Sequence, residues 1–390
     1  MKILYYANLH LTHYDGPSKH VLAVCQELAQ RGHRVVLLSH PFPKSLRKHL
    51  SNVKAVQVPE FPSQLKRFRR WNRLLWKVMA NWTTSLFHPE VIYQRDRAED
   101  MIPLTIAQQA HIPLVIEVNG WLPGDAYRRD GLQGQMRMID KLHARYSLAA
   151  ALITSSPGLR DLLINTFELP SDRVIYIPNG VDLTRFQCVQ PYHAPQGRFP
   201  IVGMVCGYHP LIDRETVIRS LTLLKQQGFV PSLRMLLYGE ERHFIELQNL
   251  INDLRISSYV TLKYNVPEVF VPCELEKIDI AIVAYKRERI LLEKTAEGLK
   301  LWEYWAAQRP VIATDVSGSD SFHHHEHKRY LAIEPENPKA MADAIILLWQ
   351  RPILAEELAR NGYQYVHNGH SWSNTAYEIE KVLYKVIGRQ

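Results

Sequence analysis

The sequence of 390 residues contains little cysteine and has no long hydrophobic run. The four cysteines, Cys25, Cys188, Cys206 and Cys273, are widely spaced and form no CxxC pair, which argues against a disulfide framework or a cysteine-rich zinc site. No stretch approaches the ~18 apolar residues of a membrane-spanning helix, and the N-terminus lacks the apolar run of a signal peptide. We therefore expect a cytoplasmic protein, with peripheral attachment to the inner face of the cell membrane as an open alternative.

The charge balance shows a modest positive excess. Lys and Arg total 47 against 39 Asp and Glu, which gives a formal net charge of +8. Such an excess is compatible with an acidic ligand, an anionic membrane surface or nucleic acid, and does not choose between them. The chain length predicts two domains of ordinary size, and 46% hydrophobic residues are enough for two cores.

Apolar strands and amphipathic helices alternate along the chain. KILYYA (2–7) and RVVLLSH (34–40) read as strands on either side of a helix with apolar residues at 21, 22, 24, 25 and 28. Such βαβ units imply a parallel sheet. The alternation continues to VIYIPNG (174–180), breaks at the proline-rich segment 187–200, and resumes at IVGMVCG (201–207). We predict an α/β protein with two Rossmann-like parallel-sheet domains facing across a cleft, where ligands commonly bind.

One segment, AEGLKLWEYWAAQRPVIATD (296–315), carries a specific chemical signal. Lys300 and Glu303 lie one helical turn apart, shortly after Gly298 and before an apolar strand. They either pair with each other on a solvated helix face or form a site for a phosphorylated ligand. The second reading rests on the affinity of helix N-termini for anions, to which a lysine adds a full charge.

Four segments in order resemble the retaining glycosyltransferases of family 4, also called group 1, which have the GT-B fold. These segments are DGPSKHVLAVCQELAQRGHRVVLL (15–38), VIYIPNGVDLTRF (174–186), LKLWEYWAAQRPVIATD (299–315) and HNGHSWSNTAYEIEKVLYKV (367–386). The resemblance implies an N-terminal acceptor domain at 1–187 and a nucleotide-sugar donor domain at 200–366. It also implies C-terminal helices at 367–390 that cross back to the N-terminal domain.

The resemblance implies an enzyme that transfers a sugar from a UDP- or GDP-sugar to a saccharide or lipid-linked acceptor with retention. A role in cell-envelope polysaccharide or glycolipid synthesis is expected. The alternative is a non-catalytic nucleotide-sugar-binding homologue that acts as a partner subunit. A nicotinamide oxidoreductase is disfavoured because DGPSKH lacks the GxGxxG pattern, and no nucleic acid is expected as a partner.

The family pattern also implies site residues on the donor side. Glu297, Lys300 and Glu303 are the catalytic candidates, with Glu303 expected on the ribose hydroxyls. The donor-binding candidates are Gly16, Pro17, Tyr208, Arg214, Gly298, Leu299 and Leu301. Two departures stand out: Thr295 replaces the first glutamate of many members, and Tyr208 occupies the position of a phosphate-binding arginine. Arg214, assisted by His209, is the expected replacement because a guanidinium suits phosphate oxygens.

On the acceptor side, His20, Arg95, Asn119 and Trp121 are the candidates, and each has a purely structural role as its alternative. No cofactor and no metal site are expected, since lysine and arginine charges replace a divalent ion on the diphosphate. The tract HHHEH (323–327) is read as solvated loop histidines, which capture metal at most adventitiously.

Residues 65–82, LKRFRRWNRLLWKVMANW, form a basic amphipathic stretch rich in tryptophan. Its apolar residues recur at 65, 68, 71, 75, 78 and 82, which is a helical stripe. Such a helix either lies in an anionic membrane interface or packs on the N-terminal domain with a solvated basic face.

Overall fold

The structure is a computed structural model that describes residues 1–12, 16–61, 66–98, 100–288, 299–314 and 329–389. The chain divides into two compact units. The first unit comprises Met1–Pro178 and Trp372–Gln390, and the second comprises Asn179–Ser371. The sequence predicts that the first domain ends at residue 187 and that the chain returns to it at residue 367. In the structure the first unit ends at Pro178 and resumes at Trp372. The early start of the second unit is explained by Phe186, which is buried in the core of that unit.

The first unit contains a seven-stranded parallel sheet with the order β3-β2-β1-β4-β5-β6-β7. Its strands are mostly short, buried apolar runs, as covered parallel sheets require. They are β1 Lys2–Ala7, β2 Arg34–Ser39, β3 Val53–Gln57, β4 Val91–Arg95, β5 Leu114–Val118, β6 Ala151–Thr154 and β7 Val174–Tyr176.

Five helices follow the strands of this sheet in the chain. They are α1 Gly16–Gln30, α2 Lys66–Phe87, α3 Ile102–Ala110, α4 Leu122–Leu148 and α5 Pro157–Phe167. The helix α4 is kinked at Gly131, whose positive φ of 64° is a conformation that glycine tolerates. Because all strands of this sheet are parallel, their carboxyl ends lie at one edge, where the segments leading into the following helices begin.

The second unit has a six-stranded parallel sheet with the order β10-β9-β8-β11-β12-β13. Its strands are β8 Ile201–Gly207, β9 Ser232–Tyr238, β10 Val260–Tyr264, β11 Ile280–Val283, β12 Val311–Thr314 and β13 Leu331–Ile333. Gly203 in β8 is required by packing, because a Cβ atom there would come within 2.1 Å of the Ile278 side chain. The predicted α/β class with two Rossmann-like parallel sheets is confirmed.

The helices described in the second unit are α6 Arg214–Gln226, α7 Ile245–Asp253, α8 Val271–Glu276, α9 Leu299–Ala306, α10 Pro338–Gln350 and α11 Pro352–His367. The helix α9 packs against α11, where Gly362 leaves room for the indole of Trp305; a Cβ atom at Gly362 would lie 2.1 Å from that ring. Across the described residues, no helix combines the length and the apolar content that crossing a membrane requires.

The helix α12, Trp372–Val386, belongs to the first unit and packs against α1. Glu380 of α12 accepts hydrogen bonds from Arg31 Nε at 2.7 Å and lies 2.7 Å from His33 Nε2. The guanidinium of Arg31 also lies 4.8 Å from the ring centre of Tyr377. The chain therefore returns to the first unit through α12 alone, and α11 belongs to the second unit.

Candidate functional site

The helix α9 carries the lysine and the glutamate that the sequence singles out. Its sequence, LKLWEYWA, is apolar nearly all round, so the helix is buried. Glu303 is only 6% exposed, whereas Lys300 is half-buried. A solvated helix face is therefore excluded for Glu303. A carboxylate in such a position needs polar partners, and Arg185 Nη1 lies 3.9 Å from its Oε1.

Arg185 is a residue that sequence reasoning missed. It lies in a short helical turn after β7, 118 positions before Glu303, so no spacing in the sequence connects the two. Its guanidinium also donates to the Glu268 side chain at 2.7 Å and to the Glu268 carbonyl at 2.6 Å. These bonds hold the cation beside Glu303 while leaving the separation from that carboxylate longer than a hydrogen bond.

Two predicted cations converge on the carboxyl end of β8. Burial raises the pKa of the Cys206 thiol, and both Lys300 and Arg214 oppose this effect by favouring the thiolate. Both positive charges therefore act electrostatically on the same buried sulfur. Arg214 Nη1 also donates to the Gly207 carbonyl at 3.1 Å, which fixes the guanidinium at the strand end.

The position of Arg214 follows from a helix cap. Asp213 precedes α6, and its Oδ1 accepts a hydrogen bond from the Thr216 N–H at 3.0 Å. Arg214 is thus the first residue of α6, and the Asp213 carboxylate beside it occupies one of the N–H groups at the start of the helix. The guanidinium of Arg214 is therefore the source of positive charge at this point.

Tyr208 has a different environment from these cations. Its side chain is 56% exposed and stacks on the His243 ring with a centroid distance of 4.3 Å. It supplies no charge in place of the arginine of the family pattern. His209 accepts a hydrogen bond at Nδ1 from the Leu211 N–H at 3.3 Å, which stabilises the turn before α6.

Several candidates cannot be placed. Glu297 and Gly298 lie outside the described residues, as do Thr295 and the tract at 323–327. Leu299 is half-buried at the start of α9, and Leu301 is 1% exposed in the core.

The first unit contains a cavity of about 430 Å³ at the carboxyl ends of β1, β4 and β5. This is the edge at which ligands bind in open α/β sheets. The cavity is lined by Asn8, Leu9, His10, Pro17, Arg95, Asp96, Arg97, Asn119, Gly120 and Leu122. Pro17, Arg95 and Asn119 are thus brought together in one place, and Gly16 begins the helix α1 that contributes Pro17.

A buried charge network lies beside this cavity. Glu117 in β5 is 2% exposed, forms an ion pair with His20, and accepts a hydrogen bond from Tyr5 at 2.9 Å. Burial alone would raise the pKa of Glu117, but His20, Arg95 and Asn119 lower it to about 2. Glu117 was not predicted, although a carboxylate inside the apolar run PLVIEVN is a visible signal.

Arg95 connects the network to the cavity. Its Nη1 lies 3.8 Å from Glu117 Oε1, beyond hydrogen-bond distance, and has no hydrogen-bond acceptor among the described residues. His20 is 5% exposed and lies within the network rather than on the cavity wall. Trp121 is 5% exposed and packs edge-on against Phe167 at 6.0 Å, so it lies in the core.

The helix α2 exposes apolar side chains over several turns. The exposed residues are Trp71, Leu74, Val78, Trp82 and Leu86, which are 48–64% accessible. They recur every three or four positions and so form one stripe. The helix packs on the unit through a different face, formed by Trp76, Ala80, Thr83 and Thr84. The apolar stripe predicted from the sequence therefore faces outward at positions 71, 78 and 82.

Comparison with known proteins agrees with this geometry. Residues 14–185 match the family model described as Glycosyltransferase Family 4, and residues 200–351 match the model described as Glycosyl transferases group 1. The two matches together cover most of the chain and follow its two units. No curated protein matches the chain in a sequence search.

Solved structures share the fold over nearly the whole chain. Sucrose-phosphate synthase from Thermosynechococcus elongatus has 16% identity and a TM-score of 0.76, with 99% of each chain covered. Anabaena Alr3699/HepE in complex with UDP-glucose has 15% identity and a TM-score of 0.74, covering 99% of this chain and 100% of the other. WaaG, a glycosyltransferase involved in lipopolysaccharide biosynthesis, has 13% identity and a TM-score of 0.72, with coverages of 99% and 100%.

The fold and the two domain matches define a glycosyltransferase with the GT-B fold. Within that class the chain belongs to glycosyltransferase family 4, group 1.

Proposed function

We propose that the protein transfers a sugar, with retention of anomeric configuration, from a UDP- or GDP-sugar to a saccharide or lipid-linked acceptor. The observation that carries this proposal is the hydrogen bond of Arg214 to the end of β8, together with the electrostatic influence of Lys300 and Arg214 on the buried Cys206 and the buried carboxylate of Glu303 in the same unit. Two cations suit a diphosphate, and a carboxylate suits the two ribose hydroxyls of a nucleotide. The complex of Alr3699/HepE with UDP-glucose makes UDP-glucose the first donor to test.

The proposed reaction needs no general base from the chain. The bond between the anomeric carbon and the β-phosphate oxygen breaks, and the acceptor oxygen bonds to the same face of the sugar. The acceptor proton passes to an oxygen of the departing diphosphate. Lys300 and Arg214 stabilise the negative charge that develops on that diphosphate, in place of a metal ion.

We propose that the acceptor binds the cavity of the first unit. Arg95 lines this cavity and would contribute its positive charge to binding a hydroxyl or an anionic oxygen of the acceptor. Asn119 and Pro17 line the same cavity and would help to orient the acceptor. The role of WaaG in lipopolysaccharide biosynthesis supports testing envelope saccharides and glycolipids first. Gly16 is kept as a proposed diphosphate contact, and Glu297, Gly298, Leu299, Leu301 and Tyr208 as proposed donor contacts.

Donor binding is tested by thermal stabilisation and hydrolysis with a panel of UDP-, GDP- and ADP-sugars. A donor at 100 times its dissociation constant stabilises the protein by about 2.7 kcal/mol. Glu303→Gln, which keeps the shape of the side chain, should lose most of this stabilisation. The matched control is Glu357→Gln on the exposed surface of α11, which should behave as the wild type.

The outcomes separate the competing readings. Stabilisation by one donor, with slow hydrolysis and loss of both effects in Glu303→Gln, supports the transferase. Nucleotide binding without turnover, even with acceptor extracts, supports the non-catalytic partner subunit instead. No binding by any nucleotide sugar contradicts the donor site.

We also propose that α2 attaches the protein to an anionic membrane surface. Arg70, Arg73 and Lys77 are exposed and lie on one side of the apolar stripe. Tryptophan beside basic residues is typical of helices that lie in a membrane interface. Attachment of this kind would bring a lipid-linked acceptor to the enzyme at the inner face of the membrane.

Vesicle sedimentation tests this attachment. Vesicles with phosphatidylserine should bind the protein, and Arg70→Gln with Arg73→Gln should weaken binding about fivefold per charge, since each basic residue contributes about 1 kcal/mol. The control pair is Arg351→Gln with Arg360→Gln, two exposed arginines of the second unit. Equal binding by both pairs of variants, or no binding at all, would contradict a role for α2.

A further inference from the structure

Three potential metal ligands follow the carboxyl ends of three adjacent strands. His10 lies three residues after β1, His40 directly follows β2, and Glu60 lies three residues after β3. The strands are neighbours in the order β3-β2-β1, so their ends meet at one edge of the sheet. His10 Nε2, His40 Nδ1 and a Glu60 carboxylate oxygen all lie within 4.8 Å of one another.

The distances match those around a tetrahedral ion. Glu60 Oε2 lies 3.1 Å from His10 Nε2 and 3.3 Å from His40 Nδ1. Zinc–nitrogen and zinc–oxygen bonds of about 2.0–2.1 Å at tetrahedral angles place neighbouring ligand atoms about 3.3 Å apart. The His10 ring now stacks on the His40 ring at 4.2 Å. Its side chain is 61% exposed and is free to turn its nitrogen toward an ion.

Hydrogen bonds around His40 define which of its nitrogens is available. Asn8 Nδ2 donates to Asp100 Oδ2 at 2.7 Å, so the amide oxygen of Asn8 points the other way. That oxygen accepts from Arg97 at 2.6 Å and lies 2.9 Å from His40 Nε2. His40 Nε2 must therefore carry the proton, and a neutral ring then has its lone pair on Nδ1.

The lone pair on His40 Nδ1 accepts no hydrogen bond from any described residue. His40 is 4% exposed, and its Nδ1 has no hydrogen-bond partner among the described residues. It faces the carboxylate of Glu60, which is also an acceptor. His40 is buried and Glu60 is exposed, and a proton or a cation between these two acceptors, 3.3 Å apart, would satisfy both.

The surroundings of His40 also have the form that supports a metal ligand. A ligating histidine generally donates its other N–H to a carbonyl or carboxylate, which fixes the ring and raises its basicity. Here the second nitrogen bonds to Asn8, and Asn8 bonds to Asp100. Trp76 of α2 covers the other side of the ring at 4.9 Å.

We propose that His10, His40 and Glu60 bind a divalent transition-metal ion of the zinc class. Imidazole nitrogens with one carboxylate suit zinc, copper or nickel rather than magnesium. Three protein ligands leave one position of a tetrahedral ion for water or for an oxygen of a bound molecule. His10 also lines the cavity of the first unit, so that position is near the proposed acceptor site. The diphosphate cations belong to the other unit, and the metal site does not depend on the proposed function.

The test uses the full chain, with the histidine tract at 323–327 removed as a competing binder. In this background His323, His324, His325 and His327 are replaced by serine. After treatment with chelator, zinc is titrated against a chromophoric competitor, and cobalt is added separately to record its visible absorption. We expect one zinc per chain and the intense cobalt spectrum of a four-coordinate site.

Variants assign the ligands. His10→Ala and Glu60→Gln should each weaken zinc binding by more than about 100-fold and abolish the cobalt spectrum. Both side chains are partly exposed, so these variants should fold, which circular dichroism verifies. His49→Ala, an exposed histidine of the same unit, is the matched control and should bind as the background protein.

Two results would overturn the proposal. One is the loss of zinc binding when only the tract at 323–327 is replaced. The other is unchanged zinc affinity in His10→Ala or Glu60→Gln.

Discussion

The two units share a strand order but differ in the chemistry at their strand ends. Both sheets run in the order of a doubly wound fold, with the first strand of each unit, β1 or β8, at the point where the order reverses. In the first unit the buried charges pair with one another, as in Glu117 with His20 and Asp96 with Arg145. In the second unit Lys300 and Arg214 gather at one strand end. The topology thus determines where a ligand binds, and the side chains determine which charge that ligand carries.

The largest effect is expected from removing the cations of the second unit. Lys300→Ala combined with Arg214→Ala should lower kcat/KM for the nucleotide sugar by about 10²–10³-fold, because in the proposed reaction each cation stabilises the leaving diphosphate. Steady-state donor hydrolysis measures this. Lys339→Ala, whose side chain is 81% exposed, is the control. If the double variant keeps full activity, the two cations of the second unit do not contribute to catalysis.

A slightly smaller effect is expected at the paired charges of the first unit. The pKa of Glu117 is lowered from 4.5 to about 2, so its stabilising contribution is present above about pH 4.5 and is lost as the pH falls toward 2. The size of this contribution is about 3 kcal/mol. Urea unfolding of wild type and Glu117→Gln at pH 7 and pH 2.5 should show a difference in stability that shrinks at the lower pH. A difference that is the same at both pH values would mean that Glu117 is not ionised in the folded protein.

The second unit should respond to acid in a different pH range. Burial, and then the nearby charge of Arg329, lower the pKa of His370 from 6.5 to about 4. Its contribution is present above pH 6.5 and is lost as the pH falls through 4, because the unfolded chain binds the proton first. The ring is only partly buried, so we expect about 1 kcal/mol. His370→Gln should unfold with a flatter pH dependence than wild type between pH 7 and 4, whereas His193→Gln, at an exposed position, should not.

The smallest effect is expected at the cap that positions Arg214. Asp213→Ala should destabilise the protein by about 1 kcal/mol through loss of the hydrogen bond to the Thr216 N–H. Asp213→Asn keeps an acceptor oxygen and should recover most of the loss. Denaturant midpoints of the three proteins measure the difference, and equal destabilisation by both variants would point to the charge of Asp213 rather than to capping.

Much of the fold is predictable because its strands are continuous apolar runs. The predicted strands at 2–7 and 201–207 coincide with β1 and β8. By contrast, β3 (VKAVQ) and β13 (LAI) are short and only partly buried, so their hydrophobic signal is weak. The helix α4 was missed because its sequence is polar with little apolar periodicity and contains glycines.

The residues of the candidate site also differ in whether a local sequence pattern marks them. Lys300, Arg214 and Glu303 could be predicted as candidates because short motifs and a family pattern mark them. Arg185 and the proposed ligands His10, His40 and Glu60 were not predicted, because these groups meet only when distant segments are brought together by the fold. The residues of each set lie 20 or more positions apart, and a contact over such a separation leaves no local periodicity in the sequence.

The docking of α12 on α1 has a consequence for biosynthesis. A ribosome completes residues 179–371 before it makes residues 372–386, so the whole second unit is available to fold while the first unit still lacks a helix. The Val181 N–H donates to the His370 carbonyl at 3.1 Å, which closes the second unit as a continuous piece of chain. The first unit therefore contains both the first and the last residues to be synthesised. Until then the face of α1 that α12 will cover stays exposed to solvent on the nascent chain.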